Sequence, residues 1–227
     1  MTGALQGAFQ PAITTALGAG DAETMRVMAF RVCKVGTLLT LMFAIPMSLE
    51  IDELLVLWLK TPPPCAASMC IAALVFIVIE KLSGGQQTAV NASGKIAQFQ
   101  AIRGILRVSV IPLALLAIFL DLGAVVAAFA LPISAMIVVL CDVWLARVRV
   151  GMSAKHWFRH VLIPIACLCV VSLLAGAVPR IFLNQSIFRL LITSIVCLAS
   201  IVAFSWILLL SYNEKRFILN IVHKRRA

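Results

Sequence analysis

Long runs of apolar residues, separated by short polar segments, set the pattern of the chain. A helix that crosses a bilayer needs about 20 mostly apolar residues. Six stretches meet this requirement, at residues 32–49, 66–92, 102–120, 122–143, 161–178 and 188–211. A further apolar stretch at residues 3–18 contains Pro11 and is typical of part of another helix. The pattern predicts an all-α polytopic membrane protein, with six transmembrane helices plus an N-terminal partial helix.

Composition supports this prediction. Hydrophobic residues make up 63% of the 227 residues, and only 12% are charged, whereas soluble domains contain about 25% charged residues. A soluble domain of this size has too little interior to bury so much apolar surface. The combination of high hydrophobicity and low charge also argues against disorder. We therefore expect the lipid bilayer to be the principal partner of the chain.

The net charge of +10 is distributed in a way that predicts topology. Fifteen of the 19 Lys and Arg residues lie in alternate connections or on the first turns of the span that follows: around the start of the first predicted span, between the second and third, between the fourth and fifth, and after the sixth. Short loops rich in Lys and Arg stay in the cytoplasm. The C-terminus and residues 147–159 are therefore predicted to be cytoplasmic, and residues 50–64 to be outside. Because the basic residues are scattered over several helix ends, we expect no nucleic-acid partner.

The predicted domain organisation follows the intramembrane polarity. Residues 1–150 contain nearly all polar residues that fall inside predicted spans, whereas residues 151–227 form an additional pair of plain apolar helices. The second predicted span is the most polar. On an ideal helix with 100° per residue, one face of it carries Glu80, Gly84, Gln87 and Asn91. The adjoining flank carries Lys81, Thr88 and Lys95, whereas Gln86 lies outside this polar sector.

Two interpretations of this sector remain open from the sequence. An ionised residue at the bilayer centre costs roughly 2.5–3.5 kcal/mol on insertion scales, so Glu80 and Lys81 need partners or water. They could line a water-filled translocation path. Alternatively, polar groups of a neighbouring helix could anchor them, with Lys81 extending towards the cytoplasmic headgroups.

The third predicted span has a basic face formed by Gln100, Arg103 and Arg107, at spacings i, i+3 and i+7. These arginines could be interfacial residues at the start of a helix. They could also form a cationic funnel for an anionic lipid-linked substrate, because the guanidinium fork matches two phosphate oxygens. Asp142, near the predicted end of the fourth span, is expected to be a helix-end charge rather than a ligand of a coupling ion.

Motifs for catalysis are missing from the sequence. It contains no Walker A, GxSxG or HExxH pattern. His156 and His160 share a helical face without a nearby Cys or carboxylate in the sequence, and the seven cysteines form no CxxC pair. We therefore predict that the chain is not an enzyme and has no catalytic residues, no cofactor and no metal site.

Three segments resemble the C-terminal lobe of the polysaccharide and O-antigen flippases of the multidrug/oligosaccharidyl-lipid/polysaccharide exporter superfamily. Residues 9–25 read FQPAITTALGAGDAETM, residues 44–60 read AIPMSLEIDELLVLWLK, and residues 89–100 read AVNASGKIAQFQ. The resemblance covers residues 1–150, as an incomplete lobe made of the end of its second helix plus four spans. The last two predicted spans are similar only in kind to the extra pair of fourteen-helix members.

The resemblance implies a function in polysaccharide or lipopolysaccharide biosynthesis. Such transporters flip an undecaprenyl-diphosphate-linked oligosaccharide across the bacterial cytoplasmic membrane, using two lobes around a central cavity. It implies a multi-pass chain in that membrane, contact of the pyrophosphate or acidic sugars with Lys81, Lys95, Arg103 and Arg107, and a coupling role for Glu80. Because members have two lobes, the chain is expected to be a fragment whose partner is an N-terminal lobe. The alternatives are a lobe of a multidrug or cation antiporter and a non-transporting membrane scaffold.

Overall fold

The computed structural model describes residues 2–94 and 96–208. The structure is 87% helical, and the described residues contain no strand. Twelve α-helices follow one another along this part of the chain. Their bounds are α1 Thr2–Gly18, α2 Ala22–Leu49, α3 Ile51–Leu59, α4 Ala66–Lys81, α5 Gly84–Ala92, α6 Ile96–Val108, α7 Val110–Phe119, α8 Gly123–Ala128, α9 Ala130–Val150, α10 Ala154–Trp157, α11 Ile163–Phe182 and α12 Ile187–Leu208.

These helices combine into membrane-spanning units. Within the described residues, five are long and apolar enough to cross a bilayer, and the bent pair α4–α5 makes a sixth. The five are Ala22–Leu49, Ile96–Phe119, Gly123–Val150, Ala154–Phe182 and Ile187–Ile207. The prediction of an all-α polytopic membrane protein is confirmed. The first span begins at Ala22 rather than near residue 32, and α3 occupies much of the connection predicted to be outside.

The prediction of one continuous helix over residues 66–92 is wrong. The span breaks after Lys81 and bends by 44° before α5 begins at Gly84. Two consecutive glycines follow Ser83, and glycine is a poor helix former. Gly85 also allows close packing, because a Cβ at this position would lie 2.6 Å from the carbonyl carbon of Ala29 in α2. The bend therefore brings the backbone of α5 directly against α2.

Three other spans are interrupted just before a proline. The interruptions lie at Ser109, at Phe129, and in a π-helical turn over Phe158–Leu162. Pro112, Pro132 and Pro164 follow them by a few residues. Proline lacks an N–H and its ring clashes with the carbonyl group four residues earlier. This clash falls at or beside each interruption, so the prolines account for the broken helices.

Two helices organise the packing. Helix α2 contacts α1, α4, α5, α11 and α12, whereas α9 contacts α4, α5, α6 and α7. Helix α5 lies between them and contacts both. A buried apolar core runs along these contacts, and large apolar side chains on α7 and the outer faces of the other spans are exposed. Lipid chains would cover such apolar outer faces in a membrane.

The start of α2 is fixed by a capping residue. The Asp21 carboxylate accepts a hydrogen bond from the backbone N–H of Thr24 at 3.0 Å. This hydrogen bond lowers the pKa of Asp21 below its ordinary value. The cap therefore stabilises the helix at neutral pH and is lost as the pH falls through that lowered pKa.

Two glycine substitutions test the close packing of α5 on α2. Gly85→Ala should destabilise the protein by about 1–3 kcal/mol, because the added methyl group overpacks the contact with Ala29. Gly104→Ala is the matched control, because nothing lies within 4 Å of a Cβ there and alanine favours the helix by about 1 kcal/mol. Thermal unfolding in detergent should show a lower midpoint for the first variant and an equal or higher one for the second. Equal shifts for both would contradict this packing.

Candidate functional site

The break between α4 and α5 places polar side chains around a buried carboxylate of α9. Ser83 donates its hydroxyl proton to Asp142 Oδ2 at 2.7 Å, and Gln87 Nε2 donates to the same oxygen at 3.2 Å. Arg103 Nε of α6 lies 3.0 Å from Asp142 Oδ1. Asp142 is 0% exposed and Arg103 only 7%. Three helices and the break thus converge on one carboxylate.

The contact between Arg103 and Asp142 is close but poorly aligned. Although the two atoms are 3.0 Å apart, Arg103 Nε and Asp142 Oδ1 satisfy no hydrogen-bond geometry, and Arg103 Nη2 has no hydrogen-bond partner among the described residues. The guanidinium carbon lies 5.6 Å from the centroid of the Phe99 ring, which adds a cation–π contact. Charge attraction, rather than an aligned hydrogen bond, therefore holds this pair together.

A second ion pair connects α4 and α6. Arg107 Nη2 contacts Glu80 Oε1. This pair is more accessible than the first, because the Glu80 side chain is 24% exposed and that of Arg107 is 51% exposed. Arg107 lies eleven residues after Ile96, or about 16 Å along the helix. That distance is about half the thickness of the hydrocarbon layer, so an accessible guanidinium lies near the middle of the span.

The structure brings most of the predicted site residues together. Beyond the two ion pairs, Gln100 Nε2 donates to Asn91 Oδ1 at 3.3 Å, which connects the start of α6 to the end of α5. We call five of the partly or fully exposed polar side chains of α4, α5 and α6 the polar surface; they are Glu80, Gln87, Asn91, Gln100 and Arg107. Lys81 is partly buried beside this surface and has no charged partner among the described residues. Lys95 lies outside the described residues.

The expectation that Asp142 is a helix-end charge is wrong. Helix α9 continues to Val150, so Asp142 lies about two turns inside it and is completely buried against Arg103. Gln86, which lies outside the predicted polar sector, is also fully buried. Its side-chain amide lies 2.8 Å from the Cys33 Sγ atom. The break in the span turns this side chain towards α2, which an ideal continuous helix could not show.

A second buried cluster of charged side chains joins α12 to the end of α2. Arg189 donates to Glu50 Oε2 through Nη2 at 2.8 Å and through Nε at 3.2 Å. Thr193 donates to Glu50 Oε1 at 3.0 Å. The carboxylate of Glu53 lies 3.5 Å from Arg189 Nη2. The expectation that the last two spans are plain apolar helices is therefore wrong for α12, and sequence reasoning had no signal beyond the opposite charges.

The connection between α9 and α11 is tied to the break in the second span. Trp157 of α10 is buried, and its Nε1 donates to the backbone carbonyl of Leu82 at 2.9 Å. Leu82 follows the last residue of α4, where helical hydrogen bonding is interrupted. An indole from the predicted cytoplasmic side thus satisfies a carbonyl group at the bend.

The spans and the charge pairs between them define an all-α, multi-pass membrane protein. No protein-family model matches the chain, and no curated protein or solved structure matches it either. In the part of the chain that the structure describes, no three His, Cys, Asp or Glu residues are grouped so that they could hold a metal ion. A more specific function must therefore be argued from the geometry of the polar residues.

A double-mutant cycle tests the buried pair. Arg103→Gln and Asp142→Asn should each destabilise the protein by about 3–5 kcal/mol, because each leaves a buried charge without its partner. The double variant should lose less stability than the sum of the losses in the two single variants. The matched cycle with Glu80→Gln and Arg107→Gln should give a coupling energy of about 0–1 kcal/mol, as expected of an accessible ion pair. Unfolding in mixed detergent micelles measures both cycles, and strict additivity for the buried pair would contradict the assignment.

Proposed function

We propose that the chain forms a lobe of a transporter that flips a lipid-linked oligosaccharide, carried on undecaprenyl diphosphate, across the bacterial cytoplasmic membrane. The observation that carries this proposal is the accessible Glu80–Arg107 pair near the middle of the span. A charged group facing lipid at this depth is costly. The pair is therefore better explained by a wet cavity or a facing polypeptide than by lipid contact.

The rest of the polar surface supports a path for a hydrophilic substrate. Gln87, Asn91 and Gln100 present amide groups between Arg107 and the start of α6. Amide groups both donate and accept hydrogen bonds, as sugar hydroxyl groups do. The surface therefore offers the chemistry that an oligosaccharide needs on its way from the predicted cytoplasmic side towards the bilayer centre.

The two arginines have different tasks in this proposal. Arg103 is buried and neutralised by Asp142, so it positions α6 against α9. Arg107 is half exposed, and the diphosphate of a substrate can displace the Glu80 carboxylate from it. A phosphate group matches the guanidinium fork at two oxygens and carries more charge than a carboxylate. Glu80, once released, is available to take up a proton, which couples transport to the proton gradient.

The summed charge of the ionisable residues on and beside the polar surface favours an anionic substrate. Lys81, Arg103 and Arg107 supply three positive charges, whereas Glu80 and Asp142 supply two negative charges. The resulting excess of one positive charge attracts a diphosphate and repels a cation. In the two-lobed transporters that the chain resembles, a second lobe faces this surface, and we include such a lobe in the proposal. Catalysis and a cofactor have no role in it.

One observation favours a second candidate, a multidrug or cation antiporter. The buried Asp142 is a second acidic residue deep in the spans, and intramembrane acids serve as proton relays in exporters. However, its contact with Arg103 neutralises it. The flippase therefore remains the proposed function, and the antiporter becomes an outcome of the test.

Complementation of a strain that lacks the gene tests the proposed role of Arg107. Arg107→Gln should reduce surface polysaccharide at least tenfold at normal protein level, because one charge-assisted phosphate contact of about 1.5–3 kcal/mol is lost. Arg180→Gln is the control, because Arg180 is an exposed basic residue near the opposite end of the fold. Undiminished polysaccharide in the Arg107→Gln strain would refute the flippase proposal. Loss of drug resistance on Asp142→Asn, with polysaccharide intact, would favour the antiporter.

A further inference from the structure

A basic cleft lies where the fourth span ends and the fifth begins. It has a volume of about 430 Å³ and is lined by Arg147, Gly151, Met152, Ser153, Ala154 and Lys155. Gly151 ends α9 with a φ of +67°, a left-handed conformation that favours glycine. Ser153 then caps α10 by accepting a hydrogen bond from the N–H of His156 at 3.3 Å. The chain therefore makes a tight, defined turn around this cleft.

Three basic side chains from three helices meet at this cleft. Arg147 comes from the last turn of α9 and Lys155 from α10, and both are exposed. Arg26 of α2 adds a third, because its Nη2 atom lies 3.0 Å from the position that a Cβ of Gly151 would occupy. None of the residues lining the cleft is acidic. The cleft therefore concentrates positive charge without a carboxylate of its own.

The surroundings of the cleft have the polarity of a membrane boundary. The cleft is lined by the connection between two spans, Gly123–Val150 and Ala154–Phe182, so it lies at the level of the lipid headgroups. Trp144, Val148 and Phe158 are exposed apolar side chains on these same spans, close to the cleft in sequence. Acyl chains can cover these side chains while a headgroup reaches the basic residues.

The cleft is also held in place by buried anchors. Met152 in its wall and Trp157 at the end of α10 are both buried, and Trp157 is hydrogen-bonded to Leu82 at the bend of the second span. A preorganised site binds its ligand with a smaller loss of conformational entropy. This connection also joins the cleft to the bent span that carries Glu80.

We propose that this cleft binds the phosphate headgroup of an anionic phospholipid, in the leaflet that the charge distribution predicts to be cytoplasmic. Its volume falls within the range of about 300–1,000 Å³ that is typical of ligand sites, and basic pockets between spans on this side bind anionic headgroups. A neighbouring cleft at Gly94–Gln98 is less suited, because Arg149 in its wall already donates to Gln98 Oε1 at 2.8 Å.

Lipid titration of the purified full chain tests the proposal. Phosphatidylglycerol is added to the protein in phosphatidylcholine nanodiscs, and the bound lipids are counted by native mass spectrometry after release into detergent. Arg147→Gln/Lys155→Gln should bind phosphatidylglycerol about 30-fold more weakly, because each basic residue near the surface contributes about 1 kcal/mol. Lys155→Gln alone should weaken binding about fivefold, which keeps the test valid if the double variant is poorly folded.

The matched control is Arg149→Gln/Arg159→Gln. It removes the same charge from the same end of the spans, and neither residue lines the cleft. This control should retain phosphatidylglycerol binding within about twofold. Equal weakening of both double variants would overturn the proposal, because it would indicate a general attraction of anionic lipid to basic helix ends. Displacement of the lipid by millimolar inorganic phosphate would also overturn it and indicate a soluble phosphate ligand instead.

Discussion

The contact between Arg103 and Asp142 is the interaction on which the polar part of the fold depends. A bare charge inside a membrane is expensive, so an arginine in α6 requires a carboxylate, and the carboxylate requires further donors. Those donors are Ser83, at the break in the second span, and Gln87 of α5. The bend, the packing of α5 on α2 at Gly85, and the position of α6 against α9 therefore form one coupled arrangement.

The ion pairs of this protein differ in burial, and this difference separates enclosed pairs from an accessible one. Arg103 with Asp142, and Arg189 with Glu50, are enclosed between helices. Enclosed pairs contribute mainly to the specificity of helix packing, since removal of water offsets much of their attraction. Glu80 and Arg107 are accessible instead, so their attraction is weaker and a competing anion can replace one partner. This difference explains why the proposed substrate contact is Arg107 rather than the neighbouring Arg103.

The sequence predicted features that depend on local pattern and missed those that depend on distant contacts. Apolar length predicts the approximate positions of the spans, although the first begins at Ala22 rather than near residue 32. Helical periodicity predicts a common polar sector for Glu80, Gln87 and Asn91, which the structure distributes over α4 and the bent α5. The break at Ser83 was not predicted from the sequence, because helical periodicity assumes a continuous helix. The contact between Arg189 and Glu50 joins residues 139 positions apart, and no pattern in one sequence reveals such a pairing. The expectation of a lipid-linked oligosaccharide as substrate rests on the three segments that resemble flippases, because a contact between side chains does not identify a substrate.

The central claim is that the polar surface of α4, α5 and α6 faces a water-filled cavity rather than lipid. Adjacent exposed residues at the same depth offer the most direct measurement. Gly104 lies on the face of Gln100 and Arg107, with nothing within 4 Å of a Cβ, and Ile105 is 73% exposed on the apolar side. Gly104→Cys in native membranes should react with a water-soluble maleimide, detected at that residue by peptide mass spectrometry, and Ile105→Cys should not. Equal protection of both cysteines would contradict the account.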